Sequence, residues 1–114
     1  FFRLEEEKEA LKYIKKNNYV ISLGGGAFMN KNIRENVLKD CISVWLYVDP
    51  RTINERIKWS NKRPLLNKED GLIKINKLYL ERKDFYKQAD FKIICKNLEK
   101  KVLVEKIIDL YEKQ

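Results

Sequence analysis

The chain has 114 residues, of which 44% are hydrophobic and 11% aromatic, which is enough for one buried core and too few for a second. Charged residues reach 37% and the net charge is +8, yet that aromatic content argues against disorder, and no run approaches the roughly 20 apolar residues needed to cross a bilayer. With no histidine, and with Cys41 and Cys95 far apart, neither a zinc spacing nor a Cys-His nucleophilic pair can be built.

Taken in chain order, residues 2 to 16 carry Phe2, Leu4, Ala10, Leu11 and Ile14 mostly at helical spacing, with glutamates early and lysines late as a helix dipole favours. Asn17-Asn18 is expected to stop this helix. Residues 19 to 23, Tyr-Val-Ile-Ser-Leu, form the short apolar run of a buried parallel strand. A second helix is predicted from Lys31 to Leu38. Residues 42 to 48 make the strongest strand, which Asp49-Pro50 ends, and Pro50 then opens a helix to about Trp59. Residues 60 to 70 lack periodicity and read as a long exposed loop with the length of a lid. A helix over 72 to 88, a strand over 91 to 95 and a final helix capped by Asn97 complete the pattern.

This alternation predicts an α/β fold with parallel strands and helical crossovers, its ligands held at the carboxyl ends of the strands. Cys41 precedes one predicted strand and Cys95 ends another, which leaves them roughly 15 Å apart at ~3.3 Å per residue, too far for a disulfide. The first segment is too acidic and interrupted for a signal peptide, so the chain reads as cytoplasmic, with no membrane partner.

Only four glycines occur, and three of them, Gly24, Gly25 and Gly26, sit together at the end of a predicted strand. Such a run either turns the chain tightly or lets backbone amides approach an anion. Lysines outnumber arginines 19 to 6, so lysine fills the surface by default and each arginine carries more information. Arg63, in Arg63-Pro64-Leu65-Leu66, is either solvated surface or a guanidinium that a mobile loop brings to a phosphate. Arg82 lies near a helix end beside the aromatic pair Phe85-Tyr86, where an i to i+4 surface pair is the plain reading.

Phe2-Arg3 with Glu6, Ser22-Leu23-Gly24-Gly25-Gly26, Arg63-Pro64-Leu65-Leu66 and Arg82 with Phe85-Tyr86 resemble the shikimate kinase family in content, order and spacing, over essentially the whole chain. The resemblance implies a three-layer P-loop kinase-like parallel sheet and transfer of the γ-phosphoryl group of MgATP to the 3-hydroxyl of shikimate. It implies that Arg3 and Arg82 grip the substrate carboxylate, as two guanidinium forks suit, and that Gly24, Gly25 and Gly26 offer it amides. Ser22 would help to hold Mg2+ through water, Arg63 would bridge ATP and substrate and stabilise the transferring group, and Arg56 would pack against adenine. The complete enzyme is expected to be a monomer with shikimate and ATP as partners.

Nothing in the chain fits G-x-x-x-x-G-K-[ST], so the phosphate-cradling loop, its lysine and its Mg2+-binding hydroxyl find no counterpart here, nor does the family's acidic base. The expectation is therefore an incomplete fold, the carboxyl-terminal part of a longer kinase domain. Its first two strands and P-loop, with the direct Mg2+ ligand, would lie upstream, and the first strand would run between residues 19–23 and 42–48. Two other functions fit the residues less well. One is a related small-molecule kinase, gluconate kinase-like, over which two arginines placed for one carboxylate together with Arg63-Pro64-Leu65-Leu66 favour shikimate. A basic nucleic-acid-binding module would need its lysines clustered, whereas here they are interleaved with glutamates.

Overall fold

The computed structural model describes the backbone of residues 2–16, 18–59 and 68–114, and the side chains of 4–16, 18–57 and 71–114. Helix α1 spans Phe2–Ile14. Asn18 follows it with φ 65, the left-handed conformation that a short amide side chain tolerates at a helix end. A single 3-10 turn, Ala27–Met29, leads into helix α2, Lys31–Asp40. Asn30 caps α2, its side chain accepting from the Ile33 amide at 3.1 Å.

Strand β1 is Val44–Tyr47, helix α3 is Pro50–Trp59, helix α4 is Lys68–Tyr86, strand β2 is Phe91–Ile94 and helix α5 is Lys100–Glu112. β1 and β2 pair in parallel with Val44 opposite Phe91 and Tyr47 opposite Ile94, and α3 and α4 lie in the connection between them. Parallel strands need such a crossover, so the expected α/β class holds.

Both ends of the ladder are fixed by polar contacts. Ser43 donates its amide and its hydroxyl to Asp90 Oδ2 at 2.9 and 3.1 Å, and the Asp90 amide donates back to Ser43 Oγ at 2.8 Å. At the other end the Cys95 amide donates to the Tyr47 carbonyl at 2.8 Å. Beyond β1, Asp49 accepts from the Thr52 amide at 3.1 Å and the Thr52 hydroxyl at 2.7 Å, with Pro50 at the first helical position where its missing N–H costs nothing. These bonds from Thr52 hold the Asp49 carboxyl below the usual carboxylate range.

The core lies between α1, the 3-10 turn and α2, and consists of Ala10, Ile14, Ala27, Phe28, Ile33 and Val37, with Ile21, Leu23, Phe85 and Tyr86 packed against it. Asn32 Nδ2 donates to Glu7 Oε1 at 2.7 Å across the α1–α2 seam. Alternation along the strands sets Trp45 and Tyr47 on one face of the sheet, and their rings meet Tyr86 and Tyr79 of α4. In α4, Gly71 gives α3 room, since a Cβ there would sit 2.7 Å from Asn54 Oδ1. Cys41 and Cys95 are both free, and burial raises both thiol pKa values, so neither is a poised nucleophile.

Three expectations need correction. Residues 19–23 belong to no strand, and Val20 is 99% exposed. The sequence supplies β-forming side chains, but a strand exists only where a neighbour accepts its backbone hydrogen bonds, and among the described residues the sheet has the two strands β1 and β2. Lys68, Glu69 and Asp70, expected to fall in a loop, belong to α4, because acidic residues suit the first turn of a helix. Asn97 does not cap the last helix. It takes φ 59 in the turn before it, and α5 starts at Lys100 after Glu99.

Two measurements test this arrangement. In hydrogen exchange, the amides of residues 20–23 are expected to exchange far faster than those of the β1–β2 ladder, and equal protection would contradict an unpaired stretch. Ser43→Ala leaves the Asp90 amide without its acceptor and is expected to cost about 1–2 kcal/mol. A lower urea midpoint at unchanged m-value would register that loss.

Candidate functional site

The glycine loop is closed by short-range backbone bonds. The Ala27 amide donates to the Gly24 carbonyl at 3.0 Å and the Met29 amide to the Gly26 carbonyl at 3.1 Å. None of the glycines has positive φ, so left-handed geometry is not why glycine stands here. Close approach accounts for it at Gly25. A Cβ on that residue would lie 3.0 Å from Arg82 Nη1, and one on Gly26 would lie 3.7 Å from Arg82 Nη2. Helix α4 thus lays a guanidinium directly on the loop.

The same helix holds the loop from a second point, because the Tyr86 hydroxyl donates to the Gly25 carbonyl. Tyr86 and Arg82 lie four residues apart, which puts them on one face of α4. The Tyr86 ring also packs near Phe28 at 6.3 Å and Trp45 at 5.8 Å between centroids, so its position is set by both the core and the sheet. From the other side, α1 brings Glu6 to the loop, with Oε2 3.6 Å from where a Gly24 Cβ would be. A groove of about 390 Å³ separates α1 from residues 19–23 and is lined by Glu6, Tyr13, Val20, Ser22 and Gly24 among others.

The structure therefore brings together Gly24, Gly25, Gly26 and Arg82, with Glu6 alongside. Ser22 is exposed two residues before the loop. Arg56 is exposed on α3, and its positive charge opposes the upward shift of the Cys95 thiol, which places it near the end of β2. Arg3 lies in the first turn of α1, but its side chain is outside the described residues, and Arg63 with the rest of its loop lies outside them altogether.

The described residues do not by themselves make a site for Mg2+ or for the phosphates of ATP. Ser22 is a single exposed hydroxyl, and among the described residues no three acidic, histidine or cysteine side chains gather. The glycine loop meets an arginine and a glutamate instead of enclosing a cradle.

Sequence reasoning had no role for the Tyr86 hydroxyl, for Arg34 or for the Ser43–Asp90 latch. A signal existed for Arg34, as one of only six arginines in a lysine-rich chain. None existed for Ser43 and Asp90, which lie 47 residues apart and meet through the sheet register.

Parallel strands joined through helices, and a guanidinium laid on a glycine loop, define an α/β protein with a cation held against that loop. Comparison with known proteins narrows this, since residues 1–112 match the shikimate kinase family model. The chain belongs to the shikimate kinase family, whose fold is that of the P-loop kinases. It is 36% identical over 108 residues to a shikimate kinase of Caldicellulosiruptor saccharolyticus, covering 94% of this chain and 63% of that protein. Identity to a shikimate kinase of Rhizobium leguminosarum bv. trifolii is 31% over 107 residues, covering 94% and 55% respectively. A Neisseria gonorrhoeae shikimate kinase is 37% identical over 97 residues, with 84% and 72% covered. The chain spans about half the length of most of the curated relatives it matches. No solved structure gives a significant match.

Gly25→Ala tests the close approach. Because the neighbour is the end of a flexible side chain, stability is expected to change little while the guanidinium is displaced. A shifted Arg82 Nε–Hε resonance at near-constant melting temperature is the expected result, and an unmoved resonance would mean that the guanidinium does not lie on the loop.

Proposed function

We propose that this chain forms the acceptor-binding part of a shikimate kinase, an enzyme that moves the γ-phosphoryl group of ATP to the 3-hydroxyl of shikimate. The observation that carries the proposal is the contact between the Arg82 guanidinium and Gly25–Gly26. A planar cation fixed beside backbone amides suits a carboxylate, which accepts two parallel hydrogen bonds from one fork. In this reading Arg82 and Arg3 hold the shikimate carboxylate, and Gly24, Gly25 and Gly26 line the same subsite. Arg63 acts from the lid, Arg56 meets the adenine, and Ser22 is a water-mediated contact to the metal. What these residues contribute is position and charge, which dominate phosphoryl transfer.

The remaining parts, a P-loop and an acidic base, are assigned to an upstream segment with two further strands, and the kinase is read as a cytoplasmic monomer. Three observations support an incomplete sheet. Residues 19–23 form no ladder, and among the described residues β1 pairs along one edge only. Helix α5 buries none of its residues and exposes Val104, Ile108 and Tyr111. Apolar surface of that kind is normally covered in a finished domain.

Calorimetric titration of the 114-residue chain with shikimate tests the reading, with gluconate as the competing acid. Shikimate is expected to bind and gluconate not, and Arg82→Ala is expected to weaken shikimate at least about tenfold, the loss of a charge-assisted bond. Equal binding of both acids, or indifference to Arg82→Ala, would overturn it.

A further inference from the structure

We propose that Arg34 is a positioning residue for the acceptor site, a planar cationic brace that sets the glycine loop against the helix carrying Arg82; its ligand-binding consequence rests on the function proposed above. Arg34 is half-buried on α2. Its Nη1 donates to the Phe28 carbonyl at 3.2 Å and to the Met29 carbonyl at 3.1 Å. Both carbonyls belong to the 3-10 turn that closes the glycine loop. A helix of three residues leaves its last carbonyls without partners of its own, so donors must come from elsewhere. Arg34 supplies them.

The face of the same guanidinium lies over the Phe85 ring, with Cζ 4.6 Å from the centroid. Phe85 sits on α4 immediately before Tyr86, whose hydroxyl bonds Gly25, and three residues after Arg82. One side chain therefore joins the turn through its in-plane N–H groups and α4 through its face. Lysine cannot do both, because a compact ammonium has no plane to stack while its donors point sideways.

The tolerance at the loop makes this brace consequential. With Arg82 Nη1 only 3.0 Å from the position of a Gly25 Cβ, a slide of the turn along α4 by a fraction of an ångström alters how the guanidinium and the loop amides converge. Binding groups that must meet one ligand together are sensitive to such displacement. Arg34 would act through the loop and Arg82 without touching the ligand itself.

The test compares Arg34→Met, Arg34→Lys, Phe85→Leu and the Arg34→Met/Phe85→Leu double variant in the 114-residue chain, each first checked by thermal melting. Shikimate affinity is expected to fall about tenfold in Arg34→Met, with Arg34→Lys failing to restore it and the double variant no worse than the single ones, the mark of one coupled contact. Affinity restored by lysine, or additive losses, would overturn the brace. If Arg34→Met does not fold, Arg34→Lys and Phe85→Leu decide between the same outcomes: matching losses support the brace, and full affinity in either overturns it. Should the unaltered chain bind no shikimate, the proposed function fails, and the brace is judged by hydrogen exchange at Met29 and Asn30. Faster exchange there in Arg34→Lys supports it, and unchanged exchange overturns it.

Discussion

The site depends on the contact between helix α4 and the glycine loop. Arg82 and Tyr86 reach residues more than fifty positions earlier in the chain, one by laying its guanidinium on Gly25 and the other by donating to the Gly25 carbonyl. The guanidinium contact does not survive a side chain at position 25 without adjustment, and the 3-10 turn that follows the loop is seated on the core through Ala27 and Phe28. The apolar cluster and the candidate binding site are thus one construction. Phe28 is buried in the cluster and offers its carbonyl to Arg34, while Phe85 and Tyr86 pack on the cluster and hold the loop.

Much of this was legible in the chain. Local signals located the helices, and Asp49-Pro50 gave the end of β1 and the start of α3 because capping chemistry is written in adjacent residues. Gly24, Gly25 and Gly26 stood out as three of four glycines gathered after an apolar run, and Arg82 stood out as a rare arginine beside an aromatic pair whose role the family resemblance supplied. What failed was non-local. Residues 19–23 have the side chains of a strand, but pairing depends on a neighbour that a five-residue segment cannot specify. Asn97 looked like a cap, yet in the turn its left-handed backbone met the local geometry and left the helix to begin three residues later. The pairing of Ser43 with Asp90 arises only once the strand register is set.

The reason for glycine also changed. Sequence reasoning offered a tight turn or amides approaching an anion, whereas the backbone here needs no positive φ and the room is taken by a guanidinium. A cation therefore stands directly against the loop. Charge supports the same division. The ion pairs Lys31–Glu35 and Lys113–Asp109 are exposed and contribute little to stability, whereas Arg82 and Arg34 are held against the glycine loop and the turn that follows it.

The sheet face beneath Tyr86 has a practical consequence. Trp45 lies between Tyr86 and Tyr47, with the Lys92 ammonium 4.7 Å from its ring. Indole emission responds to nearby charge and to the packing of its neighbours, and Tyr86 ties this indole to the glycine loop. The molecule consequently carries a built-in optical reporter of its own pocket, readable without dyes or tags once the signal of Trp59 is removed by substitution.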